Sequence, residues 1–222
     1  HDLRAPLRSI DGFSLALLER CTHLDEKGKH YLQRIRAASQ RMGELIEELL
    51  HLSRVTRSEM RLQNLDLSAM VRNIASELQQ AQPERVVEFA IAPNITAPAD
   101  PQLIRVLFEN LLNNAWKFTS RTKSARIEFG KLPLKQLKFF TERSLSPFNS
   151  SNVYFISDNG AGFDMAYSAR LFVAFQRLHS EDEFPGNGIG LATVKRIILR
   201  HGGQIWAESI IGRGTTFFFT LR

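Results

Sequence analysis

The first sixty residues constrain this chain more than any other part. No proline follows Pro6 there, and apolar residues recur at three- and four-residue spacing, which is the mark of long amphipathic helices. One stripe runs through Leu3, Leu7, Ile10, Phe13 and Leu17, and a second through Leu32, Ile35, Ala38, Met42, Leu45, Leu49 and Leu52. Between them, Thr22-His23-Leu24-Asp25-Glu26-Lys27-Gly28 has the composition of a turn, so residues 1–60 are expected to form an antiparallel helical hairpin. Two helices cannot bury stripes of that length by themselves. A homodimer that closes two hairpins into a four-helix bundle is the economical solution.

The pattern changes at about Leu65. Asp66-Leu67-Ser68 reads as a helix start leading into Val71, Ile74 and Leu78. The stretches 86–91, 125–129, 153–156, 204–208 and 215–221 alternate or run apolar as strands do, and helical spacing fills 101–117 and 189–201. Mixed strands and helices of this kind predict an α/β sandwich over 65–222. Residues 131–152 fit neither period and read as a long loop insertion. The fold class is therefore α plus α/β, a hairpin domain followed by a sandwich domain.

Composition narrows the function. Apolar residues make up 43% and charged residues 23% of the 222, ordinary values for a globular protein, and no window approaches the roughly 18 apolar residues of a membrane span. Any membrane segment is expected to lie outside this chain, which starts at His1 without an initiator Met and reads as part of something longer. The lone cysteine, Cys21, rules out an internal disulfide. It suits a reducing, cytoplasmic setting, with a buried structural role expected for the thiol. The net charge of +6 could suit nucleic acid, but the basic residues are spread along the chain among carboxylates. A solvated surface, with no nucleic-acid partner, is the simpler reading.

Four groups of residues carry chemistry. His1, on a helix turning ~100° per residue, points away from the Leu3, Leu7, Ile10 stripe and faces water. An exposed histidine is often inert, but Asp2 can fix its tautomer and leave the other ring nitrogen free to attack an electrophile. Arg4 and Arg8 on about the same side suit an anion. Asn110 and Asn114 share a helix face on which two amide oxygens could meet a hydrated magnesium ion, with Lys117 able to reach a phosphate. Helical asparagines also occur in buried polar networks. Asp158-Asn159-Gly160-Ala161-Gly162 follows an apolar strand, where a carboxylate can accept from an amine such as that of adenine, although tight turns elsewhere carry the same residues. Gly186-Asn187-Gly188-Ile189-Gly190-Leu191 opens a helix whose free N–H groups favour phosphate oxygens. The loop lacks the lysine and hydroxyl of a P-loop, and it follows a polar segment rather than the strand of a dinucleotide fold.

In this order the motifs resemble those of the histidine kinase family over nearly the whole chain. His1 to Leu7 resembles the phosphoacceptor box, Asn110 to Phe118 the asparagine box and Asp158 to Gly162 the adenine motif. Phe172 to Arg177 resembles the phenylalanine box, and Gly212-Arg213-Gly214-Thr215 the last glycine turn. The resemblance implies an ATP-binding sandwich of the type shared with gyrase and the 90 kDa heat-shock protein. It implies a protein histidine kinase that phosphorylates His1 and passes the phosphoryl group to an aspartate on a response-regulator receiver domain. His1 would be the nucleophile and Asp2 its base, Asn114 the Mg2+ ligand with Asn110 beside it, and Lys117 a phosphate contact, with Phe118 closing that box. Asp158 would hold the adenine amine in a pocket shaped by Gly160 and Gly162 and supported by Thr215. Arg177 would approach the γ-phosphate, while Gly186, Gly188, Gly190 and Leu191 would carry the lid over the phosphates. Phe172 and Phe175 are expected to pack the base of the lid in the core. Ala5 stands where family members with phosphatase activity usually carry Thr, Ser or Asn, which implies weak phosphatase activity. The rival readings are a gyrase-type ATPase, which needs no His1-Asp2 pair, and a degenerate nucleotide-sensing dimerisation module.

Overall fold

A computed structural model describes residues 4–21, 23–57, 59–133, 152–180, 183–184 and 186–222. The chain divides into two compact units, His1–Arg54 and Val55–Arg222.

The first unit is a hairpin of α1 (Arg4–Arg20) and most of the longer α2 (Glu26–Arg57), whose last three residues belong to the second unit. Asp25 starts α2 by accepting the Gly28 N–H at 2.7 Å, which satisfies one of the orphan donors of the first turn. The helices run antiparallel, because Ser39 Oγ donates to Leu7 O at 2.8 Å while Asp11 accepts from Arg36 at 3.0 Å and from Gln40 at 3.1 Å. Among the described side chains of the hairpin, Ser14 and Ser39 are the ones fully buried, with Leu7, Leu18, Leu32 and Leu45 half-buried. Ile10, Phe13, Leu17, Ile35 and Met42 stay exposed, Phe13 by 72%. Cys21 is exposed as well. That corrects the expectation of a buried thiol: it stands one residue beyond the last turn of α1, where the chain leaves the hairpin seam.

The second unit is built on a five-stranded sheet in the order β2-β4-β5-β7-β6, comprising Val87–Ile91, Ala125–Pro133, Asn152–Asp158, Gly214–Phe219 and Ile205–Ile210. The β2–β4 pair is parallel and the other pairs are antiparallel. Helices α3 (Leu67–Ala81), α4 (Pro101–Phe118) and α5 (Gly190–Arg200) supply the helical layer. A two-stranded ribbon, β1 (Gln63–Asp66) with β3 (Thr96–Ala99), and a short 3-10 helix, Met165–Arg170, complete the described elements. None of these three short elements is legible from periodicity, because each spans only four to six residues. The expected insertion is shorter than 131–152, since strand pairing runs out to Pro133↔Asn152; its remaining residues, 134–151, lie outside the described residues.

Helix α4 is the centre of the unit. Asp100 caps it by accepting the N–H groups of Gln102 and Leu103, both at 3.0 Å, and Pro101 follows where a missing N–H costs nothing. Leu103, Ile104, Leu107, Phe108, Leu111, Leu112 and Ala115 form one wide buried stripe. Phe108 meets Phe129 edge to face at 5.3 Å and Phe219 at 6.2 Å. The other face of the sheet is covered too at its centre, where Val153 is fully buried and Trp206 stacks on Phe218 at 5.6 Å. Burial of both faces explains why Phe217-Phe218-Phe219 reads as a run rather than an alternation.

The start of α3 rests on one buried hydroxyl. Ser68 Oγ donates to Ala92 O at 2.7 Å and accepts from Ile95 N at 3.0 Å. Ser68→Ala is expected to lower stability by about 2 kcal/mol, since two buried backbone groups lose their partner. A denaturant midpoint within error of the parent's, at equal slope, would contradict this.

Candidate functional site

The C-terminal half of α4 carries Asn110, Asn114, Lys117 and Phe118. The Asn110 amide nitrogen donates to Val106 O at 2.8 Å. Its oxygen lies 2.4 Å from where a Cβ on Gly190 would stand, so a side chain there would collide with it. Gly190 opens α5, and the N-cap residue Ile189 gives this helix no side-chain cap. The first N–H groups of a helix have no intrahelical acceptor, so this end suits an anion such as a phosphate. Asn114 is half-buried. Among the described residues no cluster of three His, Cys, Asp or Glu side chains could cage a metal ion. A neutral amide such as that of Asn114 fits magnesium arriving on a polyphosphate with most of its water, rather than a bare ion held by protein alone.

Lys117 is half-buried, and burial together with the nearby Arg177 guanidinium holds its ammonium below the usual lysine range. Among the described residues it makes no ion pair; its Nζ lies 4.5 Å from the centre of the Phe118 ring and close to Gly186. A half-buried ammonium held this way, with a second cation nearby, favours an anionic ligand. Arg177 donates to Phe184 O at 2.8 Å, which ties the end of the phenylalanine box to a small aromatic cluster. In that cluster Phe118 meets Phe184 at 5.0 Å and His179 at 5.2 Å, with the Arg121 guanidinium 5.1 Å from the Phe184 ring centre.

Asp158 ends β5 and is only 7% exposed. It accepts the Gly160 N–H at 2.9 Å, and the backbone of Thr215, its register partner on β7, also favours its charged form. Burial outweighs these bonds and pushes the carboxyl up to about 6. The turn beyond it docks on the end of α4, since Ala161 N donates to Phe118 O at 3.1 Å. A Cβ on Gly160 would lie 2.4 Å from that same carbonyl. Gly162 has φ +63° and would drive a Cβ to 2.1 Å from Ile210 O, so only glycine is accommodated. Gly188 has φ +72°, and its carbonyl accepts the Phe175 N–H at 3.0 Å.

The structure thus gathers Asn110 with Gly190, Lys117 with Gly186 and Arg177, and Asp158 with Gly160 and Thr215. Leu191 packs partly buried against the core. Phe172 does the same and meets Phe217 at 6.5 Å. Phe175 departs from the expected core role: it is 55% exposed and sits at φ +65°, a conformation unfavourable for a bulky residue. His1 and Asp2 lie outside the described residues. Ser209, His179, Phe184 and Arg121 touch the site and carry no sequence signal of their own, because single residues on strands and loops have no periodicity to betray them.

A sequence model of the family "Histidine kinase-, DNA gyrase B-, and HSP90-like ATPase" matches residues 99–222, and one of the "His Kinase A (phospho-acceptor) domain" matches residues 1–58. The chain belongs to the sensor histidine kinase family. It is 35% identical over its full length to cyanobacterial phytochrome B of Nostoc sp. and 29% identical to the sensor protein kinase WalK of Staphylococcus epidermidis. It spans 28% and 35% of those proteins. Among solved structures, full-length ShkA in complex with AMPPNP superposes with a TM-score of 0.63 at 24% identity, covering 99% of this chain and 43% of that one. Histidine kinase AdeS of Acinetobacter baumannii gives 0.59 at 18% identity, covering 100% of this chain and 96% of that one. At these identities the two structures speak for the fold alone, which is that of the histidine kinases. No described helix of this histidine kinase chain is long and apolar enough to cross a membrane.

Proposed function

We propose that this chain is the phosphotransfer core of an ATP-dependent protein-histidine kinase. It phosphorylates His1 and donates the phosphoryl group to an aspartate on a response-regulator receiver domain. The observation that carries the reading is one chain combining a phosphoacceptor-domain match at 1–58 with an ATPase domain holding a buried strand-end carboxylate, Asp158. A gyrase-type ATPase has no use for the first of these. The residues that a degenerate module would lack are present in the sequence.

In this reading Asp158 accepts a hydrogen bond from the adenine amine, Gly160 and Gly162 let the base approach the backbone, and Thr215 supports the same edge. Lys117 and Arg177 neutralise the phosphates, while Gly186, Gly188 and Gly190 leave room for them beside the first turn of α5. Leu191 and Phe118 close the apolar side of the lid base. Magnesium, held by Asn114 with Asn110 beside it, would supply charge neutralisation on the triphosphate. One ring nitrogen of His1 attacks the γ-phosphorus in line as the bond to the β-phosphate oxygen breaks and ADP departs; Asp2 orients the ring and takes its proton. The phosphoramidate is labile enough to serve as donor to the receiver aspartate. The apolar residues exposed on the hairpin, Phe13 above all, support a homodimer in which two hairpins form a four-helix bundle. A cytoplasm supplies both the ATP and the response regulator, so that is the proposed setting of this part. Ala5 offers no amide or hydroxyl to orient a water, which supports weak phosphatase activity.

The test is incubation with γ-labelled ATP and magnesium. The parent is expected to gain acid-labile, alkali-stable label, and His1→Gln to gain none. Equal labelling of the two proteins would remove His1 from the role, and nucleotide bound by an intact dimer without label would favour the sensing module.

A further inference from the structure

Ser209, on β6, belongs to none of the motifs, yet its hydroxyl joins three groups beside Asp158. It accepts the Phe163 N–H at 2.8 Å, donates to Gly214 O at 2.9 Å and lies 3.0 Å from Thr215 Oγ1. A hydroxyl has one proton. The Phe163 amide can only donate and the Gly214 carbonyl can only accept, so all three contacts are satisfied together in a single arrangement. The Ser209 proton goes to Gly214 O, and the Thr215 hydroxyl donates its own proton to Ser209. The Thr215 oxygen is then left with lone pairs alone. Its backbone N–H faces its register partner Asp158 across the β5–β7 ladder and favours the charged form of that carboxyl.

We infer that Ser209 is a positioning residue that locks the Thr215 hydroxyl as an acceptor and thereby makes the base-binding edge select an amino-purine over an oxo-purine. The inference rests on the adenine reading proposed above. An edge built from the Asp158 carboxylate and an acceptor-only Thr215 suits the exocyclic amine of adenine, directly or through a water whose protons point to the two oxygens. Guanine presents a carbonyl oxygen at that position and would face two acceptors with no proton between them, a repulsive arrangement. Without Ser209 the Thr215 proton is free to rotate toward the ligand, and the penalty against an oxo group falls.

The experiment is direct titration of the whole chain with ATP and with GTP, for the parent, Ser209→Ala, Thr215→Val and the double variant, with unfolding midpoints recorded without nucleotide. The parent is expected to prefer ATP, and Ser209→Ala to reduce the ATP-to-GTP preference about tenfold, the effect of one misdirected hydrogen bond. Thr215→Val is expected to reduce it similarly, with no further loss in the double variant, because Ser209 acts through Thr215. Ser209→Thr, which keeps the hydroxyl, should restore the preference. A merely structural Ser209 would lower the midpoint and weaken both nucleotides alike, and an unchanged preference in Ser209→Ala would overturn the inference while leaving the kinase reading intact. If Ser209→Ala fails to fold, the comparison of Thr215→Ser with Thr215→Val decides, with equal preference in the two overturning the inference. A parent that binds neither nucleotide would overturn both this inference and the function on which it rests.

Discussion

Asp158→Asn is expected to weaken ATP binding by about 100-fold or more while leaving the nucleotide-free protein folded, because it deletes a charge-assisted hydrogen bond at a desolvated position. The carboxylate is 7% exposed and is pushed up to about 6 by burial. Its folded value lies above its unfolded value, so its contribution to stability is complete below the ordinary carboxylate range and is lost as pH rises through about 6. At neutral pH the buried charge costs the empty domain about 3 kcal/mol. The neutral amide relieves that cost, but it can set an NH2 group against the Gly160 N–H donor. The two effects offset, and the melting temperature of the empty protein should move by only a few degrees. An amine on the ligand favours the charged carboxylate, so affinity in the parent should fall as pH drops through about 6, by up to tenfold per pH unit. Calorimetric titration with ADP between about pH 5 and about pH 8 reads both effects, with Asp158→Asn reporting the slope that belongs to the phosphates themselves. A variant that binds as tightly as its parent, or a parent with the same slope as the variant, would remove Asp158 from the site.

Phe108→Ala should lower the unfolding free energy of the second unit by about 3–5 kcal/mol, the range for emptying a fully buried aromatic position. Phe108 is wholly inaccessible, and its ring is held edge to face by Phe129 and Phe219 from two strands, so little can collapse into the space. Phe108→Leu keeps most of the volume and should cost much less. Because α4 also carries Asn110, Asn114 and Lys117, saturating nucleotide is expected to recover part of the loss by binding the folded form. Chemical denaturation monitored at Trp116 and Trp206 measures this; a loss below about 1 kcal/mol would mean that the α4–sheet core does not hold the site together.

Much of the architecture was legible because long periodic segments leave little choice. The spacing of Leu103, Ile104, Leu107, Phe108 and Leu111 makes α4 a helix wherever it is placed, and Asp66 marks the start of α3 with a side chain that caps it. The ribbon of β1 and β3 was not legible, because four-residue strands are defined by their partners. Phe175 looked like a core residue because it is aromatic, but a neighbouring backbone contact with Gly188 holds it at positive φ and turns it outward.

The site divides along the same line. The residue types of the asparagine helix, the Asp-x-Gly-x-Gly turn and the glycine loop are properties of the chain, since the helix period and the need for bare backbone dictate them before any folding. Tertiary structure alone decided that the turn at Gly160 docks on the Phe118 carbonyl, that Asn110 faces Gly190 and that Ser209 meets Thr215. The reason is that these contacts join residues far apart in sequence. A local pattern records what each segment prefers, whereas the direction of a proton or the burial of a carboxylate depends on which segments the sheet brings side by side.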